Sequence, residues 1–185
     1  MTVYSMINWF FGFSIFGYLL ECVVLSLENR QLVLNRGFVH GPFCIIYGAG
    51  AAAACIFLAP IADSTLRLYI FSSLMATGME LVTAHAMIRL FGSFWWDYSR
   101  KPLNYRGMIC LESSIGWGFL GIIFFRFLNR FMMSAVSLIP QQFERNIAIL
   151  LVLYYTADFI YCLYDRMKNP PDDDEPVIGR LKVNG

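Results

Sequence analysis

Charge is scarce in this sequence. Asp, Glu, Lys and Arg make up 15% of its 185 residues, against 58% hydrophobic residues and a mean hydropathy of +0.57. A soluble domain carries about 25% charged residues, so a soluble fold of this composition is excluded. The net charge of +1 provides no field for gathering nucleic acid. Five cysteines (Cys22, Cys44, Cys55, Cys110 and Cys162) contain no CxxC pair, and all fall inside apolar runs. That excludes a disulfide framework and a zinc ribbon. HExxH and ExxH spacings are missing, and Glu80 and His85 stand about 140° apart around a helix, too far round to chelate together. No metal and no cofactor is expected. The absence of GxSxG and of a Walker A sequence excludes a nucleophile elbow and a P-loop ATPase. Finally, the first apolar run lacks a basic n-region and a small-residue cleavage site, so it reads as a retained span and not a signal peptide.

What is present is a series of apolar runs of about twenty residues, the length that crosses a bilayer core of about 30 Å. Five spans are expected, at 5–27, 40–60, 67–91, 107–128 and 146–165. The fold class is therefore all-α: a polytopic membrane protein, a bundle of about five transmembrane helices. An amphiphilic segment at 129–145, containing Pro140, is expected to lie along the interface between helices 4 and 5. Residues 1–166 form the transmembrane helical domain, and the Pro-rich, acidic stretch 167–185 is expected to be a disordered cytoplasmic tail. With the N-terminus outside, ten Lys and Arg face the cytoplasm and four face out. The positive-inside rule then favours N-out, C-in in the cell membrane.

Four acids lie within the apolar runs: Glu21, Glu80, Glu112 and Asp158. Each costs about 2.5–3.5 kcal/mol at a helix centre. Small and polar residues accompany them at helical spacing. Ser14, Gly17, Tyr18 and Glu21 share one face; Ser73, Thr77, Glu80 and Thr83 share another; His40, Cys44, Tyr47, Gly48, Ala51 and Cys55 form a third stripe. Turned inward, such stripes line a polar pocket open to the cytoplasm, or they serve only as interhelical adhesive. Asp158 and Glu112 are the weaker candidates. Tyrosine hydroxyls one turn away satisfy the first, and the second snorkels to the interface.

The segment SFWWDYSRKPLNYRGMICLES, residues 93–113, combines aromatics, cations and a proline between two spans. Phe94, Trp95 and Trp96 suit an aromatic belt. Pro102 is expected to end any helix continuing from span 3, and Asn104 to cap span 4. Asp97 calls for a cation, with Arg36 the first choice.

The chain resembles the bacterial family labelled Putative ABC-transporter type IV, the CmpB-like group, which has relatives among the vertebrate proteins called transmembrane protein 229. The resemblance rests on Glu21, NRGFVHGPFCIIYGAGA at 35–51, Glu80 in ELVTAH, then WWDYS, PLN and GMICLESSIGWG. It implies a permease, and it marks Glu21, Asn35, Arg36, Tyr47, Glu80, Asp97, Tyr98, Asn104 and Ser114 among the family's positions. With His40, added for its place in the second stripe, these are the candidate residues of a substrate or ion pocket. No catalytic residue is assigned. Three functions stay open: a permease or transport-associated subunit, an intramembrane enzyme acting on a lipid or lipid-linked substrate, and a structural or assembly protein. The expected partners are the lipid bilayer, a second copy of the chain or an ATPase subunit, and no nucleic acid.

Overall fold

Thr2 opens the first helix with a capping box: its side chain accepts from the Ser5 backbone N–H at 3.0 Å, and Ser5 returns a bond to the Thr2 backbone at 3.2 Å. From there α1 runs over Val3–Asn29. The computed structural model describes residues 1–34, 37–92, 94 and 96–168. Asn35, Arg36, Trp95 and the expected tail from residue 169 onward lie outside the described residues, as does the proposed Arg36–Asp97 contact. After α1 come α2 (Ile45–Phe57), a 3-10 turn (Ala59–Ile61), α3 (Thr65–Phe91), a minimal hairpin of β1 (Asn104–Tyr105) and β2 (Ile109–Cys110), α4 (Leu111–Ile123), a π-helical turn (Phe124–Leu128), α5 (Asn129–Ser137) and α6 (Gln141–Lys168).

Among the described residues, three helical stretches are both long and apolar enough to cross a bilayer: Val3–Asn29, Leu111–Ser137 and Gln141–Asp165. The chain is a polytopic helical membrane protein. α3 has 27 residues, about 40 Å of helix, but Ser72, Ser73, Thr77, Glu80, Thr83 and Arg89 dilute its hydropathy. The 13 residues of α2 make only about 20 Å of helix, short of a crossing. The segment 129–145, read from sequence as interfacial, is helical from Asn129 to Ser137 and again from Gln141.

Contacts divide the chain into two units. In the first, residues 1–52 and 129–168, α1 and α6 run in the same direction. Near their starts, Thr2 donates to the Glu144 carboxylate at 3.0 Å, Ser5 also donates to it, and Asn8 donates to the Glu144 carbonyl at 3.1 Å. Further along, Phe11 meets Tyr155 with ring centroids 5.9 Å apart. Phe11, Val39, Phe43 and Cys162 form the buried centre of this unit, with Ile7, Leu151 and Phe159 packed around them. α5 closes on α1 through Trp9, whose indole N–H donates to Asn129 Oδ1 at 3.1 Å.

The start of α2 packs against α1 with the opposite sense. Val33 N–H donates to Ser26 Oγ at 2.9 Å, Cys44 N–H reaches the Ser14 carbonyl at 3.0 Å, and Gly48 lies against Phe10 and Ser14. The chain therefore returns alongside α1 as irregular backbone and becomes helical only about halfway back. This corrects the expected second span. His40 and Cys44 precede the helix, because Gly41 and Pro42 interrupt helical hydrogen bonding before Ile45.

In the second unit, residues 53–128, α3 and α4 are antiparallel along their length. Ser64 caps α3. Arg126 donates to Thr65 Oγ1 at 3.2 Å, Gly118 lies under the Tyr69 ring, and Ser73 and Thr77 bond to Ser114. α3 ends at Gly92, which takes a left-handed φ of 73° and donates to the Ile88 carbonyl at 2.9 Å. Pro102 is therefore not the terminator, since the glycine stops the helix ten residues earlier. Nor does Asn104 cap α4: Cys110 holds that place, its Sγ accepting from Ser113 N–H at 3.4 Å.

Candidate functional site

The irregular approach to α2 sets up the first polar cluster. Buried backbone N–H groups must find partners, and from residue 41 to 44 they do. Gly41 donates to Asp158 Oδ2 at 2.7 Å, Pro42 has no N–H, Phe43 donates to the Gly41 carbonyl at 2.7 Å, and Cys44 reaches Ser14. Asp158 thus serves as an acceptor for broken backbone, a role that its sequence position, 117 residues away, does not disclose. Its other oxygen, Oδ1, lies 3.1 Å from His40 Nδ1, and Cys162 Sγ lies 3.1 Å from the same nitrogen. The tyrosine hydroxyls expected to satisfy Asp158 are replaced in that role by His40 and Gly41. Asp158→Ala leaves the Gly41 N–H without this acceptor, at a cost of about 1–3 kcal/mol, whereas Asp158→Asn keeps an acceptor. Thermal melts in detergent should rank wild type and Asn together, well above Ala.

Glu21 forms the second cluster. Tyr47 on the first turn of α2 donates its hydroxyl to Glu21 Oε1 at 2.6 Å. The approach is permitted by Gly17, one turn before Glu21: a Cβ there would stand 2.1 Å from the Tyr47 ring.

The third cluster belongs to the second unit. Glu80 on α3 is buried at 6% exposure. Tyr98 donates to its Oε1 at 3.0 Å, and Ser113 approaches Oε2 at 3.3 Å. Residues 96–110 form the frame that delivers Tyr98. The Trp96 indole donates to the Met108 carbonyl at 2.7 Å, Tyr98 N–H to the Gly107 carbonyl at 2.9 Å, and Asp97 Oδ1 accepts from Ser99 N–H at 2.8 Å. Asn104 ties the turn together, donating to Lys101 O at 2.8 Å and accepting from Gly107 N–H at 3.0 Å. Gly107 combines a φ of 70° with tight space, since a Cβ would lie 2.8 Å from Asp97 Oδ1. Asp97 and Asn104 thus build the loop, while Tyr98 is the group it presents. Lys101 pairs with Glu112 at 2.9 Å, and His85 bonds the Leu81 carbonyl of its own helix at 2.8 Å.

Of the candidate residues, the structure joins Glu21 with Tyr47, Glu80 with Tyr98, and His40 with Asp158. Ser114 lies between α3 and α4, accepting from Thr77 Oγ1 at 2.8 Å and donating to the Cys110 carbonyl at 2.9 Å. Asp97 and Asn104 bond within their loop. Sequence reasoning ranks Asp158 as a weaker candidate and gives Cys162 and Ser113 no place in a cluster. The signal for the first two was the His-Gly-Pro break, which demands an acceptor from elsewhere in the chain.

Comparison with known proteins gives one positive finding. A profile of the family described as Putative ABC-transporter type IV matches residues 8–163. No curated protein and no solved structure matches the chain.

Proposed function

The chain belongs to the Putative ABC-transporter type IV family, and from that premise we propose that it is a permease-like, transport-associated subunit whose intramembrane acids face a solute path. The observation that carries this reading is the broken return beside α1. Irregular backbone at membrane depth persists where it is enclosed by protein or lines a water-filled cavity, and discontinuous helices of this kind form solute and ion sites in secondary transporters. Here the break brings His40 to Asp158, while the first turn of α2 brings Tyr47 to Glu21. On this reading Asn35 and Arg36, and within the second unit Glu80 with Tyr98, also serve transport, and the chain is oriented N-out, C-in.

The sequence contains no P-loop, so ATP-driven transport requires a separate ATPase subunit. A small bundle also favours assembly with a second copy. Native mass spectrometry of the gently extracted, tagged protein tests this directly. The expected result is a complex of one or two copies with a nucleotide-hydrolysing subunit. A bare chain that moves no solute in proteoliposomes overturns it.

A second reading is favoured by the internal satisfaction of the acids: Glu21, Glu80 and Asp158 each accept a hydrogen bond from within their own unit. On that reading the chain is an assembly protein and the polar groups are adhesive. Neutral, size-matched replacements at these positions would then preserve function along with folding.

A further inference from the structure

We propose that His40, Asp158 and Cys162 form a binding site for a divalent d-block cation of the Zn²⁺ class. The site stands whether or not the chain works in transport. His40 Nδ1, Asp158 Oδ1 and Cys162 Sγ lie within 4.8 Å of one another. Their separations are 3.1 Å for nitrogen to oxygen, 3.1 Å for nitrogen to sulfur and 3.6 Å for sulfur to oxygen. Tetrahedral zinc, with bonds of about 2.0–2.3 Å, places such donors roughly 3.3–3.6 Å apart. The observed triangle has a circumscribed radius of about 1.9 Å, so an ion about 1 Å off its plane reaches all three donors at ordinary bond lengths.

The chemistry agrees with the geometry. One imidazole, one thiolate and one carboxylate are a borderline-soft set that suits zinc better than magnesium or calcium. Binding displaces the Cys162 proton to solvent and takes His40 as the neutral tautomer with its proton on Nε2. A dication with one thiolate and one carboxylate is then neutral overall, which relieves the cost of an acid within a membrane span. Orientation is also provided for. The Gly41 N–H holds Asp158 Oδ2 at 2.7 Å, leaving Oδ1 for the ion. The Asp158 side chain is 11% exposed and Cys162 is buried, while the His40 side chain is 63% exposed. Three protein ligands with one accessible side leave a fourth coordination position for water or a solute, the arrangement of open rather than structural zinc sites. These ligands come from two places far apart in the chain, so no local spacing motif announces them.

The test uses the full chain in detergent, stripped with a chelator and then given Zn²⁺ alone or Co²⁺ alone. After gel filtration, elemental analysis should find about one Zn²⁺ per chain. The Co²⁺ form should show a thiolate-to-cobalt charge-transfer band in the near ultraviolet. His40→Ala, at an exposed side chain, should weaken Zn²⁺ binding by more than the roughly 10–100-fold that loss of a merely outer partner costs. Cys162→Ser should abolish the charge-transfer band, and Cys55→Ser should leave it intact. Any of three results overturns the proposal: negligible Zn²⁺ on the wild-type chain, unchanged affinity in His40→Ala, or a charge-transfer band that survives Cys162→Ser. If Cys162→Ser does not fold, His40→Ala decides the question alone.

Discussion

Proteoliposomes carrying Glu80→Gln should move solute at least about tenfold more slowly than wild type, equivalent to about 1.4 kcal/mol of barrier, while the protein melts close to the wild-type temperature. Glutamine keeps the shape of Glu80 and one oxygen for the Tyr98 hydroxyl, which lies 3.0 Å from Oε1. It removes only the negative charge. Glu80→Ala is a different experiment. It withdraws this acceptor from Tyr98 and opens space beside a side chain that is 6% exposed, so about 1–3 kcal/mol of stability should go as well. Melting curves and flux measured on the same preparations separate the two effects. Equal flux from wild type and Glu80→Gln, with equal stability, would reduce the acid to an adhesive role and favour the assembly reading.

The largest loss of stability should come from Gly17→Val. A Cβ at Gly17 already falls 2.1 Å from Tyr47 Cγ and 2.5 Å from Tyr47 Cβ. Because the second of these is fixed to the α2 backbone, rotating the ring away does not relieve the clash. Valine adds two methyl groups to it. Overpacking of this kind costs about 1–3 kcal/mol and occasionally more, and the Tyr47–Glu21 bond of 2.6 Å is lost with it. Gly78→Ala is the matched control, since nothing lies within 4 Å of its added Cβ. It should melt at or above the wild-type temperature, given alanine's higher helix propensity. Differential scanning fluorimetry in one detergent compares both variants. A Gly17→Val protein as stable as Gly78→Ala would show that α1 and α2 do not depend on this contact.

The long helices were legible because hydropathy and length determine them locally. Val3–Asn29, Thr65–Phe91 and Gln141–Lys168 lie over the spans read at 5–27, 67–91 and 146–165, with a few residues added at the starts of the first two by the caps Thr2 and Ser64. The second span departs from its sequence reading for a physical reason: the apolar run FVHGPFCIIYG is continuous in hydropathy but not in hydrogen bonding. Gly41 and Pro42 were the available sign that the helix starts at Ile45, since proline precedes helices far more readily than it interrupts them. Residues 96–110 misled in a similar way. Pro102 and Asn104 have the chemistry of a terminator and a cap, yet Gly92 and Cys110 occupy those places and leave Asn104 to bind the turn.

The polar clusters were legible only in part. Glu21, Tyr47, Glu80 and Tyr98 stood out singly, but nothing in the sequence paired them. Tyr98 reaches Glu80 through a loop whose path depends on a left-handed glycine and a tryptophan bonded to a backbone carbonyl. In the sequence Asp158 reads as a weaker candidate because nearby tyrosines offer an easier partner. The demand it meets arises from unpaired backbone donors in another part of the chain, and a residue-by-residue reading does not count those.

The common direction of α1 and α6 has a consequence for the cell. Two parallel membrane-crossing helices begin on one face and end on the other, so the Thr2 end of α1 and the Lys168 end of α6 open into different compartments. The capping box and Glu144 therefore lie across the membrane from the Lys168 end of α6. One end of the α1–α6 pair meets one aqueous solution, and the other end meets the opposite one.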